Sequence, residues 1–200
     1  MMRGLAAAVL LVVLAAAPAA RAAFPGANGL IAAEPPGAAQ PLVLRDAGGA
    51  VRARIAPGAR DPAFSPRGRR IAFARRGDIW VMDADGASAR PITAGPERDA
   101  QPSWAPSGEW LAFASGPPGA RDVYRVRLDG SGRQRLTFRP SDDAEPAWSA
   151  LDRIAFTRRP RGRPGPGALH VLTPASFTEV RLSPRGADDA APAWSPDGRR

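Results

Sequence analysis

The sequence predicts an all-β chain: a β-propeller of four-stranded blades, expected to be incomplete in these 200 residues, preceded by a signal peptide. Three observations predict it. One phrase occurs four times, as Pro62-Ala63-Phe64-Ser65, Pro102-Ser103-Trp104-Ala105, Pro146-Ala147-Trp148-Ser149 and Pro192-Ala193-Trp194-Ser195. Its aromatic positions step by 40, 44 and 46 residues, a period at which one small sheet repeats around a propeller. Between the copies, short segments alternate large and small apolar residues with the period of two that a half-packed strand needs.

The N-terminus comes first in the chain and is of a different kind. Arg3 precedes an uninterrupted apolar run of 13 residues, Leu5 to Ala17, and Ala20-Arg21-Ala22 follows as a small-x-small cleavage pattern. This reads as a secretory signal peptide over residues 1–23. The run is shorter than the ~20 residues of a membrane span, so no stable span is expected once it is removed. The mature protein is expected to be periplasmic or secreted.

The repeats are expected over residues 24–200, as blades at about 24–58, 59–98, 99–142 and 143–188 and a partial one at 189–200. Each repeat divides into four strands. The Pro-x-aromatic phrase is the first. A turn follows, Ser65-Pro66-Arg67-Gly68, Ala105-Pro106-Ser107-Gly108 or Ser195-Pro196-Asp197-Gly198, in which Pro presets one φ and Gly accepts the positive φ that closes the turn. The third copy departs from this with Ser149-Ala150-Leu151-Asp152 and is one residue shorter.

The second strand is Ile71-Ala72-Phe73, Leu111-Ala112-Phe113 or Ile154-Ala155-Phe156, its small residue letting a neighbouring sheet approach. The third holds Ile79-Trp80-Val81, Val123-Tyr124-Arg125 or Leu169-His170-Val171. The fourth closes on Thr93, Thr137 or Ser183, always 14 residues after the apolar start of the third. A constant interval beside variable ones implies a fixed hairpin beside adjustable loops. The variable one joins the second and third strands. Its longest copy, Arg158 to Gly167, alternates Arg with Pro and Gly and is expected to stand out into solvent. Upstream, a weaker repeat fits Gly29 to Ala32, Pro41 to Leu44 and Ile55-Ala56, without a first strand. The last repeat stops after its first turn. At least one or two further blades are therefore expected, since a ring takes ~4–8.

Composition excludes some functions. There is no Cys, so no disulfide and no thiolate metal site. The net charge of +9 comes entirely from Arg, with no Lys. These arginines are scattered and form no stripe interleaved with aromatics, so nucleic acid is not expected as a partner.

Asp189-Ala190-Ala191-Pro192-Ala193-Trp194-Ser195-Pro196-Asp197-Gly198-Arg199, Ile71-Ala72-Phe73, Asp78-Ile79-Trp80-Val81-Met82-Asp83 and Phe24 to Gly29 together resemble the TolB-like, WD-like propeller repeat of exported bacterial proteins. The resemblance implies a propeller. Its functional implication is divided. The periplasmic Tol-system member of the family binds proteins and is not an enzyme. Similar blades front prolyl-oligopeptidase-like serine peptidases, and some polysaccharide lyases are built from them.

Candidate sites are weighed against packing. Asp99, Asp143 and Asp189 stand five residues before each Trp. They are expected to satisfy backbone amides where one blade passes to the next; the alternative is that they line the channel mouth and contact a ligand. Arg158, Arg159, Arg161 and Arg163 form the candidate partner surface on the longest hairpin. His170, the single His, falls where Trp80 and Tyr124 stand and is expected to pack. Asp83-Ala84-Asp85-Gly86 is a turn and not a calcium loop, because the twelfth position is Ala94 and not Glu. Gly86-Ala87-Ser88-Ala89-Arg90 lacks the second Gly of a nucleophile elbow. No catalytic residue, cofactor or metal is assigned. The expected function is a non-catalytic module binding a protein or peptide in the cell envelope. The alternative is the front propeller of a serine peptidase whose catalytic domain lies beyond residue 200.

Overall fold

Alternating apolar positions, broken by Pro- and Gly-bearing turns, fold here into antiparallel strands throughout. The structure is a computed structural model that describes residues 29–33 and 40–200. The signal peptide and the Phe24 motif expected from the sequence lie outside them. Four sheets follow in chain order. The first contains β1 (Ile31–Ala33), β2 (Pro41–Arg45) and β3 (Val51–Pro57). The second contains β4 (Arg60–Phe64), β5 (Arg70–Arg75), β6 (Asp78–Asp83) and β7 (Arg90–Pro91). The third contains β8 (Asp99–Trp104), β9 (Trp110–Ser115), β10 (Asp122–Arg127) and β11 (Gln134–Arg135). The fourth contains β12 (Ser141–Trp148), β13 (Ile154–Pro160), β14 (Ala168–Thr173) and β15 (Thr178–Arg181). Within each sheet the strands are ordered as in the chain. We call these sheets blades 1 to 4. The opening strands β4, β8 and β12 lie against one another and form the inner side of the ring.

The core is made between blades. Leu42, Leu44 and Ala32 of blade 1 pack on Ile71, Phe73 and Met82 of blade 2. Ala72, Ile79 and Val81 of blade 2 pack on Trp104, Leu111 and Phe113 of blade 3. Ala112, Val123 and Leu136 of blade 3 pack on Trp148, Ile154 and Phe156 of blade 4. Phe73, Phe113 and Phe156 are fully buried, each contributing on the order of 2–3 kcal/mol. The aromatic ladder therefore belongs to the seams. Leu136 is 2 % exposed under blade 4, whereas its counterpart Leu182 on blade 4 has no such cover among the described residues and is 58 % exposed.

The 14-residue interval has a physical cause. The hydroxyl of Thr93 accepts the Ile79 amide at 2.9 Å, that of Thr137 accepts the Val123 amide at 3.0 Å, and that of Ser183 accepts the Leu169 amide at 2.7 Å. Each clasp ties the end of the fourth strand to the start of the third. A longer or shorter hairpin would break it.

The shorter third turn is also accounted for. Asp152 adopts φ 57° where the sister turns have Gly68, Gly108 and Gly198, a conformation Asp tolerates better than most residues. Its carboxylate then accepts Trp148 Nε1–H at 2.8 Å. Trp104 and Trp194 instead donate to the carbonyls of Ala63 and Ala147 in the preceding blade, at 2.9 and 2.8 Å.

Candidate binding face

The two ends of the blades differ. At one end lie the turns between first and second strands and between third and fourth strands, nearly constant in length. At the other end the hairpins joining second to third strands grow along the chain, from residues 76–77 through 116–121 to 161–167. Variable loops on one face of a repeat scaffold are where binding surfaces are usually built. The two longer hairpins touch, with Gly162 N–H donating to Gly119 O at 2.8 Å.

Each hairpin also anchors the blade that follows. The amides of Asp99, Asp143 and Asp189 donate to the carbonyls of Gly77, Arg121 and Gly167, at 2.7, 2.9 and 3.0 Å. So these residues do mark the passage between blades, but through their own N–H groups. The side chains that accept the neighbouring blade's amides stand one position earlier. Asp142 accepts the Arg121 amide at 3.0 Å and Asp188 the Gly167 amide at 2.7 Å. Adjacent strand residues point to opposite sides, so the amide-accepting role expected of Asp143 and Asp189 falls to the residue before, and the side chains of Asp99 and Asp143 are left for another use.

Those two carboxylates are buried beneath arginines instead. Asp99 receives Nη1 of Arg133 at 2.8 Å. Asp143 receives Nε and Nη2 of Arg158, both at 2.7 Å. Arg158 also bonds Glu179 through Nη1, lies over the Phe156 ring at 5.2 Å, and is 12 % exposed. The expectation that Arg158 stands out into solvent is therefore corrected: β13 continues through Pro160, and of the four arginines here Arg161 and Arg163 are the exposed ones. Arg159 is half-buried, 3.9 Å from Glu145. Asp189 is half-buried at the following passage.

His170 stacks on Phe156, centroids 5.6 Å apart, with Nδ1 2.9 Å from Glu179 Oε1. Burial, reinforced by Arg158, holds its pKa below the usual imidazole value. It is a packing residue beside an ion-pair network, not a base beside a nucleophile. Among the described residues no three His, Asp or Glu side chains gather to hold a metal, and no helix is long and apolar enough to cross a membrane.

Around the inner side runs a polar belt that the sequence reading missed. Asp61, Gln101, Glu145 and Ala191 each stand three residues before the repeat's aromatic, and each has φ between 51° and 56°. These positions interrupt the pairing of β4, β8 and β12 with their partners as bulges, the device that turns a backbone amide out of its own sheet. The freed amides are taken up by the preceding blade. Gln101 N–H donates to Asp61 Oδ2 at 3.1 Å, Glu145 N–H to Gln101 Oε1 at 3.0 Å, and Ala191 N–H to Glu145 Oε2 at 2.7 Å. Burial raises the Asp61 pKa, opposed by the Gln101 amide. Beside the belt, Arg121 grips Asp142 through Nε and Nη2 at 2.8 and 2.7 Å. The signal that would have found the belt was the shared position of the three polar side chains, one per repeat. A shallow cavity of about 300 Å³ opens on the same face between blades 2 and 3, lined by Gly95, Glu97, Tyr124 and Arg133 among others.

This geometry offers hydrogen-bonding and charged surface. Comparison with known proteins agrees on the architecture. A family profile described as the TolB beta propeller domain matches residues 51–200. The Tol-Pal system protein TolB of Anaeromyxobacter dehalogenans is 49 % identical over 45 residues, which is 20 % of this chain and 10 % of that protein. The chain thus aligns with about a tenth of the length of such relatives. A solved structure assigned to TolB of Agrobacterium tumefaciens superposes with TM-score 0.70 at 24 % identity, over 84 % of this chain and 66 % of that one. A Mycobacterium tuberculosis puromycin-hydrolyzing peptidase superposes with TM-score 0.61 at 22 % identity, over 76 % of this chain and 27 % of that one. At such identities the structures speak for fold alone. With the family profile matching three successive four-stranded blades and the passage beyond them, this chain belongs to the TolB β-propeller domain family.

Proposed function

We propose that this chain is an exported, non-catalytic propeller that docks a protein or peptide outside the cytoplasmic membrane, on the face carrying the unequal hairpins. One observation carries the reading. The blades keep their strand order, clasps and nearly constant turns, and vary most in the hairpins of that face, where Arg161 and Arg163 are exposed. Arg158, Asp99 and Asp143 act beneath this surface as its internal supports. The signal-like N-terminus and the kinship with a Tol-Pal system protein support an envelope location.

The test places a photo-crosslinking residue at Arg161 or Arg163 in the exporting cell, with Ser107 and Asp129 on the opposite end as controls. A discrete adduct from the hairpin positions alone is expected. Equal labelling from both ends, or none, overturns the assignment of the face.

A second reading, the front propeller of a serine peptidase, draws on the likeness to the puromycin-hydrolyzing peptidase. Labelling of the full reading frame's product by a fluorophosphonate probe would favour it. An unlabelled product is the expected result.

A further inference from the structure

Three guanidiniums sit at matching places in three successive seams, and two of them have a carboxylate. Between blades 2 and 3, Arg133 lies 5.2 Å over Phe113 and 5.0 Å over Tyr124, clamped by Asp99. Between blades 3 and 4, Arg158 lies over Phe156, clamped by Asp143. Between blades 1 and 2, Arg75 lies 5.4 Å over Trp80. There the residue matching Asp99 and Asp143 is Ala59, buried against Phe73. The residue matching Arg133 and Glu179 is Ala89, which is exposed. Asp78, paired with Arg75 across the strands, interacts with Asp99 and Arg133 of the next blade.

The slot thus holds a half-buried guanidinium with no carboxylate partner among the described residues. It holds a second donor as well. Trp80 Nε1–H is buried without a hydrogen-bond acceptor, a state that costs free energy unless something fills it. An Arg seated on an aromatic face, beside a further N–H, is suited to a carboxylate, because charge-assisted bonds are the strong ones and gain from exclusion of water. The sister seams show which group fits, since Asp99 and Asp143 fill the matching place from within the chain.

We propose that the Arg75–Trp80 slot between blades 1 and 2 binds a carboxylate supplied by another molecule, either an acidic side chain or the chain end of a peptide. The site lies in a different seam from the exposed hairpin arginines and stands on its own observations. Failure at one does not entail failure at the other.

The test follows the Trp80 indole N–H resonance in the 15N-labelled full chain, assigned with Trp80→Phe. The probes are N-acetyl-aspartate N-methylamide for a side chain, N-acetyl-alanine for a chain end, and N-acetyl-asparagine N-methylamide as neutral control. A saturable shift with one or both carboxylates and none with the control is expected, and the stronger probe identifies the source. Arg75→Ala should weaken it about tenfold or more, a loss of ~1.4 kcal/mol. Ala59→Asp offers a second measurement that needs no ligand. It should block the titration and raise Tm, and the rise should vanish in the Arg75→Ala background. No saturable shift with either carboxylate, a shift undiminished by Arg75→Ala, or an Ala59→Asp effect on Tm that ignores Arg75 would each overturn the proposal.

Discussion

Oε2 of Glu145 accepts the amide of Ala191 at 2.7 Å, 46 residues onward in sequence and one blade onward in the ring. The same oxygen accepts the Thr157 hydroxyl at 2.7 Å. The bond is one link of a belt in which each blade's bulged amide is satisfied by the side chain three residues before the previous aromatic. Blades in a propeller share no backbone ladder, so side-chain bonds of this kind add orientation to a seam that apolar packing alone would leave free to slide.

Glu145→Ala should therefore cost about 1 kcal/mol, the net worth of a lost hydrogen bond, since the half-buried Ala191 amide keeps the Thr157 hydroxyl as a second acceptor at 2.9 Å. Glu145→Gln should cost much less, because Gln101 already performs the same role with an amide oxygen. Urea denaturation of the three proteins checks the order.

The clasp hydroxyls predict a second, smaller effect. Thr137→Val keeps the shape but removes the acceptor of the buried Val123 amide. A loss of about 1–2 kcal/mol is expected, read as a lower denaturation midpoint with an unchanged denaturant slope. An unchanged midpoint would mean that the 14-residue interval is held by the strand ladder alone.

Arg158 should report on folding and not on the partner. Arg158→Ala leaves the fully buried Asp143 carboxylate with Ser141 Oγ at 2.9 Å as its remaining side-chain bond, which should cost about 3–5 kcal/mol. Arg158→Met with Asp143→Asn should recover most of that, since the fully buried carboxylate is then gone and the half-buried Glu179 keeps Arg139 within 3.8 Å. Arg161→Ala with Arg163→Ala should leave Tm unchanged within about 1 °C, a shift that corresponds to well under 1 kcal/mol in a domain of this size. Thermal melts distinguish the two classes.

The Arg121–Asp142 pair predicts a pH dependence. Burial pushes the Asp142 pKa up, but the bonds from the Arg121 side chain and amide outweigh it and hold the group below its ordinary 3.8. A depressed folded-state pKa means that the ionised carboxylate contributes stability above the ordinary value, and that this is lost as pH falls through the folded value. Asp142→Asn should thus narrow the stability difference between pH 7 and pH 3. Urea midpoints at the two pH values decide it.

The sequence by itself determined the propeller, the order of strands within each blade, the turns and the inter-blade place of the aromatics. These follow from local patterning: period-two apolar residues, Pro and Gly at turn positions, and a hydroxyl at a constant interval, each acting within one repeat. It did not determine where the charges go. Asp99, Asp142 and Asp143 are near-identical in sequence context, yet Asp142 accepts a backbone amide besides its arginine while Asp99 and Asp143 clamp arginines of other strands, because side chains alternate across a strand and the seam on each side differs. Arg158 reads as part of an Arg-, Pro- and Gly-rich insertion and becomes a buried tie, because β13 runs on for two residues after Arg158 and brings the guanidinium over Phe156 between Asp143 and Glu179. Asp61, Gln101 and Glu145 lie 40 and 44 residues apart, and only closure of blade against blade brings them into one belt. Partners that far apart are invisible to local pattern, and the tertiary structure alone decides which charges are satisfied inside and which, such as Arg161 and Arg163, stay exposed.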